Sequence, residues 1–283
     1  MSSSSLRPVV SRSQGKTQGP ITRFISPDDL GQKLKPFVFL DFFSAEITPG
    51  FGFPMHPHSG IATLTWQPGC DVEYRDTTGQ SGILKAGGLE WMNAGLGAWH
   101  QGRLLGSGAA IGFQLWVPMP PGVENAAPQG QYVAPADVPS RSIPGGTVTV
   151  LLGKLGQDGK GARSPIVSHQ DMNYFALSLE AGGQWRYEPP DSHEVGWAFV
   201  FEGTADVQGV TTLRELLIFQ GPGSIEVSAR TGPVRMLLGT ARPHAHSLVT
   251  GYSSVHTSES ALALGEAEIA RIGKVLRAGL GVQ

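Results

Sequence analysis

Ile61-Ala62-Thr63-Leu64-Thr65-Trp66 is a run of β-branched, small and aromatic residues, and Gln67-Pro68-Gly69 follows it at once. Such side chains fit a pleated surface, and Pro-Gly closes the run with a turn. Upstream, Pro36-Phe37-Val38-Phe39-Leu40-Asp41-Phe42-Phe43 is an apolar run of buried-strand length. Downstream, Gly82 to Leu89, Trp91 to Ala94 and Ile111 to Val117 continue the series, with Thr78-Gly79 marking another turn. A second series follows at Val148 to Leu152, Phe175 to Leu179, Gly196 to Glu202, Thr204 to Val207 and Val234 to Gly239, punctuated by Gln220-Gly221-Pro222-Gly223. Short, closely spaced strands without long helical periods predict an all-β chain of barrels or sandwiches.

Between the two series, Pro118 to Pro144 carries seven prolines. Proline removes a backbone donor and fixes φ, so this stretch is no central strand and reads as a connector. The expected division is therefore 1–134 for a first barrel and 135–283 for a second barrel with a terminal helix. Ile83-Leu84-Lys85-Ala86-Gly87 and Leu216-Leu217-Ile218-Phe219-Gln220-Gly221 give a faint internal echo, as a duplicated barrel would. Ser258 to Leu276 has helical spacing, with Leu262, Ile269, Ile272 and Val275 as its apolar face.

Composition narrows the function. Hydrophobic residues make up 40% and charged residues 16%, enough apolar content for a core. The formal net charge is −2 and no basic stripe is present, which argues against direct nucleic-acid binding. No run approaches a membrane span. A single cysteine, Cys70, rules out an internal disulfide and fits a reducing, cytoplasmic setting. Met1 to Gln18 is rich in Ser and basic residues, and is read as a lead-in rather than a transit peptide.

The chemistry concentrates in Met55-His56-Pro57-His58-Ser59-Gly60. Residues two apart on a strand share a face, so His56 and His58 aim the same way. Neutral imidazole is a common ligand for Fe, Ni, Cu and Zn. His100 lies far enough downstream for two or three hairpins to return it beside the pair. Three imidazoles on one face would leave open positions for water, substrate or O₂. The competing reading is three histidines that merely line a barrel. Phe51, Phe53, Trp91, Met92 and Trp99 are the candidate apolar walls, and Gln101 is a supplementary donor. His169, His193, and His244 with His246 read as loop or turn residues, and no metal is expected in the second barrel.

His56-Pro57-His58-Ser59-Gly60, Lys85-Ala86-Gly87-Gly88-Leu89-Glu90-Trp91-Met92-Asn93-Ala94-Gly95-Leu96-Gly97 and Gln114-Leu115-Trp116-Val117 resemble the pirin family of the cupins. Pro36 to Phe43 is similar to that family's strand before the histidines. The resemblance is specific over Pro36 to Pro118. It implies two consecutive cupin, jelly-roll-like barrels and an Fe-type metal in the first, held by His56, His58, His100 and a Glu two places later. It also implies either quercetin 2,3-dioxygenase-like activity on a small aromatic substrate, or a metal-sensing cofactor role with a protein partner. The chain departs from the pattern at His100-Gln101-Gly102, where the carboxylate is missing, and at Ala62, where Glu is common. Three neutral imidazoles alone would favour Zn, Ni or Cu relative to Fe. The departures leave Glu73 and Asp76 as carboxylates to consider from a neighbouring turn.

Overall fold

The computed structural model describes residues 5–48, 50–156 and 161–279. The chain opens with β1 (Val9–Ser13), a strand of the second of two compact units. The first unit comprises Thr17–Asp137 and the chain from Ala245 onward. Its strands are β2 (Lys16–Gln18), β3 (Ile21–Ile25), β4 (Phe39–Ile47), β5 (Gly52–His58), β6 (Ile61–Trp66), β7 (Asp71–Asp76), β8 (Ser81–Leu84), β9 (Leu89–Asn93), β10 (Ala98–Leu105), β11 (Gly108–Pro118) and β12 (Gln129–Val133), with a short helix α1 (Leu30–Leu34) before β4. They form a seven-stranded sheet in the order β12-β9-β6-β11-β4-β3-β2 and a four-stranded sheet in the order β5-β10-β7-β8. Phe43, Cys70, Val72, Leu104 and Ala110 pack between the two.

The second unit comprises the residues up to Lys16 and Val138–His244. Its strands are β13 (Ser140–Ile143), β14 (Gly146–Leu152), the short pair β15 (Lys154–Leu155) and β16 (Ala162–Arg163), then β17 (Met172–Leu179), β18 (Gln184–Tyr187), β19 (Val195–Glu202), β20 (Ala205–Val207), β21 (Val210–Thr212), β22 (Leu216–Gln220), β23 (Ile225–Ala229) and β24 (Val234–Ala241). The orders are β1-β22-β19-β24-β17-β14-β13 and β18-β23-β20-β21. These repeat the first unit strand for strand, so the duplication that the sequence only echoes is explicit in the topology. Each unit is a pair of open sheets, jelly-roll-like rather than a closed barrel.

Two sequence expectations change. The terminal segment does not belong with the second half. After Ala245 the chain forms β25 (Val249–Thr250), β26 (Val255–His256) and α2 (Glu259–Gly279), all grouped with the first unit, while β1 pairs with β22 in the second. The 134/135 division therefore misplaces both chain ends. Nor is the proline-rich stretch all connector: it contains β12 and β13. Both lie at sheet edges, where unpaired donors are tolerated.

The buried seam of α2 is Ala261, Gly265, Ile269 and Gly273, at intervals of four, while Val275 is 60% exposed. Small residues win this seam because the neighbouring groups come too close for larger ones. A Cβ on Gly265 would lie 2.3 Å from Ser59 Oγ, and one on Gly273 would lie 2.6 Å from the Trp99 indole. Periodicity shows that a helix has a buried face, but not how near its neighbour stands.

Candidate metal centre

β5 and β10 pair antiparallel with His100 opposite His56 and Ala98 opposite His58. Strand alternation then turns His56, His58 and His100 into the space between the two sheets. Their ligand nitrogens all lie within 4.8 Å of one another. Ring centroids are 4.5 Å apart for His56–His100, 5.0 Å for His56–His58 and 5.2 Å for His58–His100. His58 and His100 are almost completely buried.

Each ring is oriented through Nδ1. His56 Nδ1 lies 2.7 Å from the Pro54 carbonyl, His58 Nδ1 3.1 Å from the Ser253 carbonyl, and His100 Nδ1 2.7 Å from Glu90 Oε1. Carbonyls and carboxylates only accept, so in each ring Nδ1 carries the proton and donates it. Each neutral ring is then left with a lone pair on Nε2, and the three lone pairs converge. The Nε2 atoms of His56 and His100 are 3.0 Å apart, and His58 Nε2 is buried with no hydrogen-bond partner. At that distance the two nitrogens are spaced so that one ion could bind both. Imidazole nitrogens bind a Zn-sized ion at about 2.0–2.1 Å, which places two of them roughly 3.0–3.4 Å apart on one ion. The donor set fits a divalent transition metal on chemistry and on spacing.

Glu90 is the residue that the sequence reading missed. It stands on β9 opposite Thr65 of β6 and lines the cavity beside the imidazoles. Burial works to raise its carboxyl, but the neighbouring His100, with hydrogen bonds from His100 and Thr65, outweighs that and holds it below the usual carboxylate range. The site therefore keeps a carboxylate although Gly102 offers none. It acts on the far nitrogen of His100, an arrangement that fixes ring orientation and raises ligand basicity. The two acids considered from the sequence are engaged elsewhere. Glu73 pairs with Arg103 near the surface. Asp76 accepts from Thr78, the Gln80 amide and the Tyr132 hydroxyl.

The cavity beside the imidazoles has a volume of about 400 Å³. Phe39 stacks on Trp116 at 4.0 Å, and Trp116 meets His58 edge-on at 4.9 Å. On the same wall, Arg23 lies 4.2 Å over the Phe39 ring and grips Asp41 through two hydrogen bonds of 2.9 and 3.0 Å. Of the expected walls, Phe53 lines the cavity, and Gln101, the supplementary donor, lines it too. Phe51 packs on Phe43 in the neighbouring core. Trp91 and Met92 are buried in packing, and Trp99 donates its indole N–H to the Ile269 carbonyl of α2. The reason is alternation: with Glu90 and His100 facing inward, Trp91 and Trp99 must face outward.

The segment around β26 fastens this site. Ser59 Oγ donates to Ser254 at 2.9 Å and lies 3.0 Å from His256 Nε2. Glu124 accepts the Thr257 amide and hydroxyl, both at 2.6 Å, and lies 3.4 Å from His256 Nδ1. The neighbouring Ser253 carbonyl is the one that orients His58.

Burial, then the mutual repulsion of the rings, lowers His56 to about 4 and His58 well below its ordinary value. Burial also lowers His193 and His256. A histidine whose folded pKa lies below its unfolded 6.5 takes up its proton first in the unfolded chain. Stability is then greatest above about pH 6.5 and falls as pH drops toward the folded values. His56 alone accounts for about 2 kcal/mol lost by pH 5. Urea melts of metal-free protein should therefore show midpoints falling steadily from pH 7.5 to pH 5. A flat profile would contradict the buried neutral imidazoles.

In the second unit, the strands corresponding to β5 and β10 are β18 and β23. There Trp185 faces Val227 and Tyr187 faces Ile225, so apolar and aromatic side chains occupy the counterpart of the histidine site. His193 is bonded to Thr240 and Asp171, His244 is buried, and the His246 carbonyl accepts from Lys35. Among the described residues, no helix is long and apolar enough to cross a membrane.

Comparison with known proteins agrees with this architecture. The Pirin family profile matches residues 19–117, which hold the three histidines and Glu90. A pirin-like protein of Caulobacter vibrioides is 32% identical over 235 residues, covering 79% of this chain and 81% of that one. A Pseudomonas aeruginosa protein, provisionally named a quercetin 2,3-dioxygenase, is 36% identical over 185 residues, covering 63% of this chain and 64% of that one. The crystal structure of a quercetin 2,3-dioxygenase from Acinetobacter baumannii has the same fold, with a TM-score of 0.85 at 22% identity over 94% of this chain and 98% of that one.

Proposed function

This chain belongs to the pirin family, and from that premise we propose that its first unit is a metal-dependent oxygenase centre of the quercetinase type. The substrate would be a flavonol or a similar enol-bearing aromatic, cleaved oxidatively with O₂ as the oxidant. One observation carries the reading: three imidazoles whose Nε2 lone pairs converge beside a cavity of about 400 Å³. That volume lies within the usual range for small-molecule sites.

His56, His58 and His100 would hold a divalent ion. When bound, the ion supplies Lewis acidity toward a substrate oxygen and a template for O₂. The remaining work falls to the chain. Phe39, Phe53 and Trp116 supply the aromatic part of the cavity lining, against which a planar ring would pack. Glu90 accepts the Nδ1 proton of His100 and keeps that ring in its ligating orientation. It also lines the cavity.

The test is turnover. Protein loaded in turn with Fe, Mn, Co, Ni and Cu is given quercetin, and O₂ consumption is followed with loss of the flavonol absorbance. The expected result is turnover with at least one metal, abolished in His58→Ala. No turnover with any of them would sink the enzymatic reading.

A further inference from the structure

The second unit has a cavity of about 730 Å³ lined by residues on and beside β13, β15, β17 and β18. Trp185, Tyr187, Asn173, Arg141 and Lys154 define it. The floor is rigid and satisfied. Asn173 donates to the Tyr187 hydroxyl at 2.8 Å and accepts the Lys154 amide at 2.9 Å. Trp185 stacks on Tyr187 at 5.3 Å and 16°, and Phe175 meets both rings edge-on. Trp185 is only half-buried, so part of its indole is left in the groove.

The rim is cationic on a chain whose net charge is −2. Arg186 is neutralised by Glu226 and Glu188. Arg141 and Lys154 make no ion pair with any described residue. The Arg141 guanidinium lies over Gly156, where a Cβ would come 3.5 Å from its Nη1, and so stands beside the Lys154 strand.

We infer that this cavity is a second binding site, for a small aromatic carboxylate. Arg141 and Lys154 take the carboxylate, and Trp185 takes the ring. The planar guanidinium fork matches a carboxylate with two parallel N–H bonds, and an indole face suits a planar ring. Glu188 on the same rim opposes a more highly charged anion such as phosphate. None of these groups belongs to the first unit, so the site is independent of the imidazole centre.

Calorimetric titration of the full-length protein with 1-naphthoate tests this, with 1-naphthamide as the neutral counterpart and inorganic phosphate as the bare anion. Naphthoate is expected to bind one per chain. The amide and phosphate should bind at least tenfold more weakly. Arg141→Ala/Lys154→Ala should weaken naphthoate at least tenfold without changing the melting temperature, Trp185→Leu should weaken it further, and His58→Ala should leave it unchanged. The charge variant lies on the surface, so it reads out even if Trp185→Leu fails to fold. Three results would each overturn the proposal: no binding at millimolar naphthoate, affinity unmoved in Arg141→Ala/Lys154→Ala, or binding lost in His58→Ala, which would put the ligand in the first cavity.

Discussion

Titrated with Zn(II), Ni(II) or Co(II) after purification without a histidine tag, the wild-type protein takes up one ion per chain, and His56→Ala and His100→Ala do not. The expectation rests on the count of donors. Three imidazoles converge and no further His, Cys, Asp or Glu joins them among the described residues, so losing one leaves a pair of imidazoles. An ion at a hundred times its dissociation constant stabilises the folded chain by about 2.7 kcal/mol. That increment appears as a metal-dependent rise in melting temperature in the wild type and is absent from both variants. The two substitutions differ without metal. His56 loses a bond to a backbone carbonyl near the surface. His100→Ala takes from the buried Glu90 carboxylate its hydrogen bond from His100, and a hydrogen bond to a charged group is worth about 1.5–3 kcal/mol. His56→Ala is therefore the cleaner probe of ligation. Mass spectrometry of bound metal decides the matter: a variant that retains a full equivalent disproves the three-imidazole site.

Glu90→Ala should weaken metal binding by roughly ten- to a hundredfold, the usual effect of losing a hydrogen-bonded group behind a ligating imidazole. Glu90→Gln separates two causes. Its amide oxygen can still accept from His100 Nδ1, so ring orientation survives while the negative charge is lost. If orientation dominates, Gln binds nearly as the wild type does; if charge dominates, Gln falls toward Ala. The visible spectrum of Co(II)-loaded protein reports the ligand geometry directly, and should shift in Glu90→Ala. Unchanged affinity and spectrum in Glu90→Ala would remove Glu90 from the site.

The imidazole trio is legible because period-two alternation puts His56 and His58 on one face, the spacing leaves room for hairpins to return His100 beside them, and the pirin resemblance implies the same three. Glu90 is not, because it sits in Leu89-Glu90-Trp91-Met92, a stretch that reads as core. Its inward direction becomes clear only once Thr65 is known to face it across the sheet. Trp99 faces α2 and not the cavity, since a residue beside an inward-facing strand histidine points the other way. The strands inside the proline-rich stretch escaped notice because edge positions tolerate what central ones do not. The grouping of the chain ends left no local signal, since it depends on contacts between residues some two hundred apart, such as Val9 with Phe219 and His58 with Ser253.

That grouping has a consequence for biosynthesis. On the ribosome, every strand of the second unit has been made once Ala241 has emerged, whereas the first unit still lacks Ser253, the His256 clamp and α2. The unit encoded earlier is thus the later one to be completed. His58 lacks its Ser253 partner until that later segment has been made, so an ion held by the three imidazoles would be captured after Ser253 has emerged and not when β10 is complete.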